Sequence, residues 1–363
     1  MKRHTLAALF LCLAIPQVPA VADDATQTAT KPQSTTIPRV DPKDIPAPAG
    51  MPPGTPRTVS AKGVAYLQNM LKGKPFGTDG FDFKNLRIGM GTRVVPKDKD
   101  VQITPIKVAG LDVPCEWVVT PGADPDVRLL YIHGGGFVSG SPGRYLPLAT
   151  HISKAAKCVV LMPDYRLAPE HPFPAGLNDC VQAHEWMRTH SPTGKSPAKA
   201  TFISGDSAGG NLTLTTLLAL RDRKMMLPLG AIPISSTTDL TLASESIKSV
   251  HDPVLTWTTM PVFRDMYLGK QDPTNPLASP VFGNYHGIPP MLIQAGEHEM
   301  LRDDSVRVAK KARAEGVSVK LEIWPGMFHV FQSREPLLPE GEEAIAHIAD
   351  FMRECIAERA KRQ

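Results

Sequence analysis

The chain has 363 residues and a formal net charge of +4, with 42% apolar and 21% charged residues, an ordinary composition for a globular protein. It contains no long basic run, which argues against a nucleic-acid-binding surface. Its length suits one large α/β domain with a small cap, or two ordinary domains.

The first 22 residues have the features of an export signal. Lys2 and Arg3 precede an apolar run, Thr5 to Ile15, that is too short to span a membrane. Ala20-Val21-Ala22 then offers a cleavage site with small residues. We therefore expect residues 1–22 to be removed and the mature protein to be periplasmic or secreted, the alternative being a short membrane anchor. No later stretch has the length and apolar character of a membrane span, so no integral membrane segment is expected after cleavage.

Residues 23–56 are rich in threonine, proline and alanine and resemble a mobile tether rather than a folded element. The folded part is therefore expected at 57–363. It holds four cysteines without metal-ligand spacing, and the sequence leaves open whether any two of them form a disulfide. These are Cys115, Cys158, Cys180 and Cys355.

Residues 60–71 carry apolar side chains at helical spacing, and a glycine-rich stretch with Phe76, Phe81 and Phe83 follows. We expect this region, about 57–100, to form one part of a cap over the active site. The alternative is an N-terminal helix packed on the core.

Apolar runs alternate with helical patterns along the rest of the chain, which predicts a mostly parallel eight-stranded sheet covered by helices on both faces. A turn at 110–112 separates the first two strands, which we expect to be antiparallel. The predicted strands are 101–108, 113–120, 127–132, 158–162, 200–204, 229–234, 291–295 and 317–324. The predicted helices are about 145–156, 175–189, 208–223, 302–315 and 341–359.

More than fifty residues separate the strands at 229–234 and 291–295, with a helical pattern at about 253–268 between them. Its apolar side includes Trp257 and Phe263. We expect about 240–275 to form the second part of the cap, and a crossover helix packed on the core is the equal alternative.

The stretch Gly205-x-Ser207-x-Gly209 follows a predicted strand and opens a predicted helix. This is the setting of the nucleophile elbow, in which a strained turn exposes the serine hydroxyl. Ala208, the next residue, would point its amide at a developing oxyanion. The motif alone is common by chance, and the ordinary alternative is a glycine-rich turn between a strand and a helix.

A second loop, His133-Gly134-Gly135-Gly136, directly follows the strand that ends at Ile132. Consecutive glycines leave backbone amides free to face a ligand, so we assign Gly135 and Gly136 to an oxyanion hole. We interpret His133 as a buried orienting residue, because it comes too early in the chain to be the base. A phosphate-binding loop would need a Lys-Ser/Thr ending that is missing here.

The base and the acid are expected after Ser207 in the chain. His329 lies in a loop past the last predicted strand, which makes it the candidate base. Glu299 is the candidate acid that would orient it, and Glu297 is the fallback. Asp303 and Asp304 open a predicted helix, where carboxylates have a structural role.

Together these blocks resemble the hormone-sensitive-lipase-like family (family IV) of bacterial carboxylesterases, over about residues 57–355. The four blocks are His133-Gly134-Gly135-Gly136-Phe137, the stretch from Asp164-Tyr165-Arg166 to Phe173-Pro174-Ala175, Gly205-Asp206-Ser207-Ala208-Gly209-Gly210-Asn211, and Pro325-Gly326-Met327-x-His329-x-Phe331. The resemblance implies an α/β-hydrolase fold with a cap built from the two segments named above. It also implies that the second block supports the oxyanion loop, and within that block Arg166 and Glu170 are candidates for an ion pair. The family usually has aspartate where this chain has Glu299.

The sequence thus predicts a serine carboxylesterase that hydrolyses short- to medium-chain or compact apolar esters, lactones included, through an acyl-enzyme on Ser207. Such a reaction calls for a small-molecule ester substrate and for no metal or organic cofactor. The main alternative is an amidase or deacetylase with the same triad, and a non-catalytic binding protein on this fold is the weakest reading. The substrate-binding residues are not identified, and the oligomeric state, a homodimer included, is left open.

Overall fold

A computed structural model describes residues 59–75, 77–78, 80, 82–107, 113–334 and 338–362. The expected export signal and tether lie outside these residues. So do the predicted turn at 110–112 and two of the phenylalanines considered for the cap, Phe76 and Phe81.

A central eight-stranded sheet organises the described part of the chain. Its strand order is β1-β2-β4-β3-β7-β8-β9-β10, with β2 antiparallel to both neighbours and every pair from β4 to β10 parallel. A two-residue hairpin, β5 with β6, stands apart from it. The strands are β1 Gln102–Ile106, β2 Cys115–Val119, β3 Asp124–Ile132, β4 Cys158–Pro163, β5 His190–Ser191, β6 Gly194–Lys195, β7 Ala200–Asp206, β8 Gly230–Ile234, β9 Met291–His298 and β10 Val319–Phe328.

The mostly parallel α/β sheet predicted from the sequence is confirmed, with helices on both faces. The helices α3 and α9 cover one face, and α4, α5 and α8 cover the other. The helices are α1 Ala61–Lys72, α2 Phe83–Gly91, α3 Pro142–Ala156, α4 Ala175–Met187, α5 Ala208–Asp222, α6 Ser246–Ser249, α7 Thr259–Leu268, α8 Arg302–Ala314 and α9 Pro339–Arg362. No helix in these described ranges combines the length and the apolar character needed to cross a bilayer.

The inner strands are continuously apolar because both of their faces are buried. In β3, Leu129 and Tyr131 pack under α3 and α9, whereas Leu130 and Ile132 pack on the opposite side under α4 and α5. The same alternation of side chains along a strand explains why the sequence shows apolar runs rather than an apolar and polar alternation.

Helices α2 and α7 differ from the prediction, and the short helix α6 and the β5–β6 hairpin have no counterpart in it. Helix α2 was not predicted, because its nine residues include Gly89 and Gly91, which have low helix propensity, and none of its residues is fully buried. Helix α7 begins at Thr259, not near 253. The reason lies just before it, where the Asp252 side chain accepts hydrogen bonds from the amides of Val254 and Leu255 and holds them in a turn.

Helix α1 packs against the end of β10. Ser60 caps it by accepting a hydrogen bond from the Gly63 amide at 2.9 Å. The Tyr66 ring stacks on Phe328 with 5.6 Å between centroids, and Leu67 joins an apolar cluster with Trp324. Helix α1 therefore supports the end of β10, from which the candidate base projects.

The four cysteines named above are free thiols, and all are buried. Burial raises the pKa of Cys115, Cys158 and Cys355 to about 12. Thiolates are the reactive form of cysteine, so these side chains act as apolar core residues.

Arg128 is a buried charge that joins three elements. Its side chain is 0% exposed and donates to the carbonyls of Pro125, Met187, His190 and Ser196 at 2.8–3.0 Å. It thereby ties the start of β3 to the end of α4 and to the hairpin.

We expect Arg128→Met to lower the free energy of unfolding by at least about 3 kcal/mol, because each buried carbonyl left without a donor costs about 1–3 kcal/mol. Urea unfolding followed by circular dichroism measures the change. Arg353→Met is the matched control, since Arg353 is more than half exposed and its contacts, with Asp350 and with the Ala155 carbonyl, lie at the surface. Equal losses in the two variants would contradict the role of Arg128.

Candidate active site

Ser207 sits in a strained turn between β7 and α5. Its backbone has φ 55° and ψ −119°, a conformation that side-chain-bearing residues rarely adopt. A Cβ atom on Gly209 would lie 2.0 Å from the Ile132 carbonyl oxygen, and one on Gly205 would lie 2.4 Å from the Gly209 oxygen. The two glycines of the motif are therefore required by the close approach of α5 to β3, which leaves Ser207 facing the cavity described below.

The oxyanion loop runs from His133 to Gly140 at the end of β3. Gly135 and Gly136 have φ 123° and 64°. The Gly135 carbonyl accepts hydrogen bonds from the amide and the hydroxyl of Ser139, and these bonds fix the orientation of the loop peptide that follows Gly135. Within the described residues, the Gly135 and Gly136 amides have no protein acceptor. Ala208 is the first residue of α5, where amides also lack helical partners.

Asp206 anchors this loop, and the sequence reasoning gave it no role. Its Oδ1 accepts from the Tyr131 hydroxyl at 2.7 Å and from the Gly134 amide at 3.2 Å. A Cβ on Gly134 would lie 2.3 Å from Asp206 Oδ2, so the first glycine is needed for this contact. Burial raises the pKa of Asp206 to about 6. The sequence did contain a signal for this role, because Asp206 is a carboxylate at the end of an otherwise apolar predicted strand.

His133 is fully buried and unsuited to proton transfer at neutral pH. Its Nδ1 lies 2.8 Å from the Gly134 carbonyl, and its ring stacks on Tyr165 with 4.3 Å between centroids. Burial lowers its pKa to about 4, so the ring stays neutral. These contacts agree with an orienting role.

The loop after β4 supports the oxyanion loop. The Tyr165 hydroxyl donates to the His133 carbonyl at 3.0 Å, and the Ala168 amide donates to the Phe137 carbonyl at 3.0 Å.

The ion pair considered between Arg166 and Glu170 is wrong. Arg166 pairs with Asp179 at 2.7 Å, and Glu170 pairs with Arg87 of α2 at 2.6 Å. Each side chain meets a partner on a distant element that spacing along the loop does not reveal.

His329 and Glu299 lie together in the loops after β10 and β9. His329 Nδ1 is 3.5 Å from Glu299 Oε2, which is ion-pair distance and longer than a usual hydrogen bond. Such contacts are often long in unliganded sites. Burial alone lowers the pKa of His329, but Glu299, helped by Asp252 and Asp206, raises it by more, so the net direction is upward.

The other candidate acids have different partners. Glu297 Oε2 accepts from the Gly326 amide at 2.8 Å. Asp303 accepts from the Ser246 amide, and Asp304 accepts from the amides of Thr238 and Asp239. Of the four carboxylates considered from the sequence, Glu299 is the one in ion-pair contact with His329.

Two further side chains that the sequence reasoning missed hold the loops of this pair. Asp252 accepts from the Met300 amide at 3.0 Å, next to Glu299. The Ser235 hydroxyl accepts from the Val330 amide at 3.1 Å, next to His329. Both are buried polar groups. Ser235 directly follows β8, and Asp252 lies in the segment, about 240–275, that the sequence assigned only to the cap.

A cavity of about 370 Å³ opens onto these groups. Ser207, His329, Gly135 and Gly136 all line it. Its wall is otherwise mainly apolar and includes residues of both predicted cap segments. The apolar lining residues are Leu86, Met90, Val94, Phe137, Pro147, Leu148, Leu240, Val254, Leu255, Met260, Phe263 and Val330.

Comparisons with known proteins agree with this architecture. Residues 129–333 match the family described as having the alpha/beta hydrolase fold. The chain belongs to the α/β-hydrolase family. Among its relatives, this hydrolase is 38% identical over 248 residues to an acetyl-hydrolase of Streptomyces hygroscopicus, covering 68% of this chain and 81% of that protein. It is 35% identical over 262 residues to an esterase of Acinetobacter venetianus, covering 71% and 84%.

A solved structure extends the comparison to the predicted subfamily. The crystal structure of an esterase from the bacterial hormone-sensitive lipase family superposes with a TM-score of 0.73 at 36% identity, covering 82% of this hydrolase and 100% of that chain. The resemblance inferred from the four sequence blocks is thereby confirmed.

For Glu299→Gln we expect kcat/KM to fall by about a thousandfold or more, because the neutral amide no longer stabilises the imidazolium or its tautomer. The acid limb of the residual kcat/KM profile should also move to lower pH. Activity needs neutral His329, and without the carboxylate its pKa is no longer raised, so the neutral form persists further into acid.

Glu297→Gln is the matched control for this test, since it changes the same functional group two residues away. It should keep the wild-type pH profile and rate. A large loss in Glu297→Gln together with near-normal activity in Glu299→Gln would move the acid to Glu297.

Proposed function

We propose that the protein is a carboxylic ester hydrolase that works through an acyl-enzyme on Ser207. The proposal rests on one observation. A single cavity is lined by the strained Ser207, by His329 in its pair with Glu299, and by the two glycines of the oxyanion loop. The esterase and acetyl-hydrolase names of the relatives support the same reaction class.

In the proposed mechanism, Ser207 Oγ attacks the ester carbonyl while His329 accepts the hydroxyl proton. The oxyanion that forms is held by the amides of Gly135, Gly136 and Ala208. His329 then gives its proton to the leaving alcohol, and an acyl-serine remains. A water molecule, deprotonated by His329, attacks this ester. The intermediate then releases the acid and Ser207 Oγ, which takes the proton back from His329. Glu299 keeps His329 oriented and stabilises its charged form.

The size and lining of the cavity favour small or medium substrates. About 370 Å³ is near the lower end of small-molecule sites, and the wall is mainly apolar. Leu86 and Met90 of α2 and Met260 and Phe263 of α7 contribute to it. We propose that these two helices form the cap, and that the substrates are short- to medium-chain or compact esters, lactones included.

We expect Ser207→Ala to abolish hydrolysis of 4-nitrophenyl butyrate, a loss of about a millionfold in kcat, because the mechanism has no other nucleophile. Circular dichroism should show an unchanged fold. Ser249→Ala is the control, since Ser249 is exposed and bonds only to the Glu245 carbonyl. Residual turnover by folded Ser207→Ala at near the wild-type rate would overturn the mechanism.

The same assay separates the ester hydrolase from the amidase alternative. Rates on 4-nitrophenyl butyrate and on the matched 4-nitroanilide are compared for the wild type. The proposal expects a strong preference for the ester, whereas equal or faster anilide cleavage would favour an amidase or deacetylase.

A further inference from the structure

Three arginines line the cavity together with the catalytic groups. They are Arg144 of α3, Arg264 of α7 and Arg334, which follows His329 by five residues. Among the described residues, Asp206 is the only acidic side chain on the wall, and its Oδ1 is already bonded to Tyr131 and to the Gly134 amide. The cavity therefore has an excess of positive charge that hydrolysis of a neutral ester does not require.

Two of these arginines differ from the other arginines in the described part of the chain. Arg264 pairs with Asp265 at 2.7 Å. Arg144 and Arg334 make no ion pair within the described ranges, and Arg334 Nε is buried there without a hydrogen-bond partner. Other described arginines have partners for their guanidinium groups. Some pair with carboxylates, as Arg87–Glu170 and Arg166–Asp179 do. Those without an ion pair donate to other oxygens: Arg223 to the Asn178 side chain, Arg313 to the Val319 carbonyl and Arg359 to the Lys199 carbonyl.

All three arginines lie close in the sequence to residues of the active site. Two of them are next to residues that pack on the oxyanion loop. Arg144 precedes Tyr145, whose ring stacks on His133, and Arg264 follows Phe263, whose ring lies against Gly136. Arg334 belongs to the turn that continues from His329. The positive charges thus come from three separate elements that line one cleft with a mainly apolar wall, where water screens them less than on an open surface.

We infer that the substrate carries an anionic group, a carboxylate or a phosphate, in addition to its ester bond, and that Arg144 and Arg334 bind this group. The inference rests on the proposed ester hydrolysis and refines its substrate class. A guanidinium presents paired donors that match both kinds of oxyanion. The apolar wall would hold the rest of the acyl chain, and Arg264 would add to the attraction although its own charge is shared with Asp265.

Matched pairs of esters test the inference with the wild-type protein. Mono-4-nitrophenyl glutarate is compared with 4-nitrophenyl valerate, and 1-butyrylglycerol 3-phosphate with monobutyrin. We expect kcat/KM to be at least about tenfold higher for at least one anionic member than for its neutral partner, a difference of about 1.4 kcal/mol. The pair that shows the preference tells carboxylate from phosphate. Added salt should reduce the preference.

Variants of the two unpaired arginines assign the effect to the cavity. In Arg144→Gln/Arg334→Gln the ratio of kcat/KM for the preferred anionic ester to that for its neutral partner should fall at least about tenfold, mainly through a higher KM. The single variants give the same direction if the double variant does not fold. Arg353→Gln, on the outer surface of α9, should keep the wild-type ratio.

Absence of any anionic preference in the wild type, or an unchanged ratio in the arginine variants, would overturn the inference while ester hydrolysis itself stands. Failure of the proposed function has a different signature, since the neutral esters would then also resist hydrolysis.

Discussion

The close approach of α5 to the end of β3 is the constraint on which the site depends. Gly209 leaves no room for a side chain against the Ile132 carbonyl, so helix and strand meet backbone to backbone. This contact forces the chain at Ser207 into a conformation that costs about 1–3 kcal/mol in a residue with a side chain. The surrounding sheet and helices are buried on both sides and hold the strain in place, so the hydroxyl stays directed at the cavity.

Buried polar side chains hold the neighbouring loops in place through hydrogen bonds. Asp206, one residue before the serine, binds the Gly134 amide and the Tyr131 hydroxyl, so the elbow and the oxyanion loop are fixed to each other. Asp252 and Ser235 likewise accept backbone hydrogen bonds in the loops of Glu299 and His329 and fix these loops. Because the strands that carry these loops are parallel, their carboxyl ends bring all of the groups to one edge of the sheet.

The grouping of the catalytic residues could be predicted from the sequence because all of them lie at the carboxyl ends of parallel strands. The inner strands are continuous apolar runs, and each chemical motif follows such a run, so the grouping of Ser207, Glu299 and His329 needed only the parallel order. Helix α2 escaped prediction because Gly89 and Gly91 weaken its pattern, and it helps form the cavity through Leu86 and Met90. The partner of Arg166 was also missed.

The grouping of the three arginines in the cavity could not be predicted from the sequence, because it depends on the folded chain. Arg144, Arg264 and Arg334 belong to separate elements and to no shared motif, and only the folded chain brings them to one cavity. Charge that is spread over the sequence gives a modest net value of +4, and the local excess at the site depends on which carboxylates each arginine meets.

Covalent labelling tests most directly whether Ser207 is the nucleophile. Diethyl 4-nitrophenyl phosphate transfers its diethylphosphoryl group to an activated serine, with release of 4-nitrophenolate. Peptide mass spectrometry of the inactivated protein should find one such group, on the peptide that contains Ser207, and one equivalent of 4-nitrophenolate released. Complete inactivation with the label on another residue, and an unmodified Ser207, would show that Ser207 is not the nucleophile.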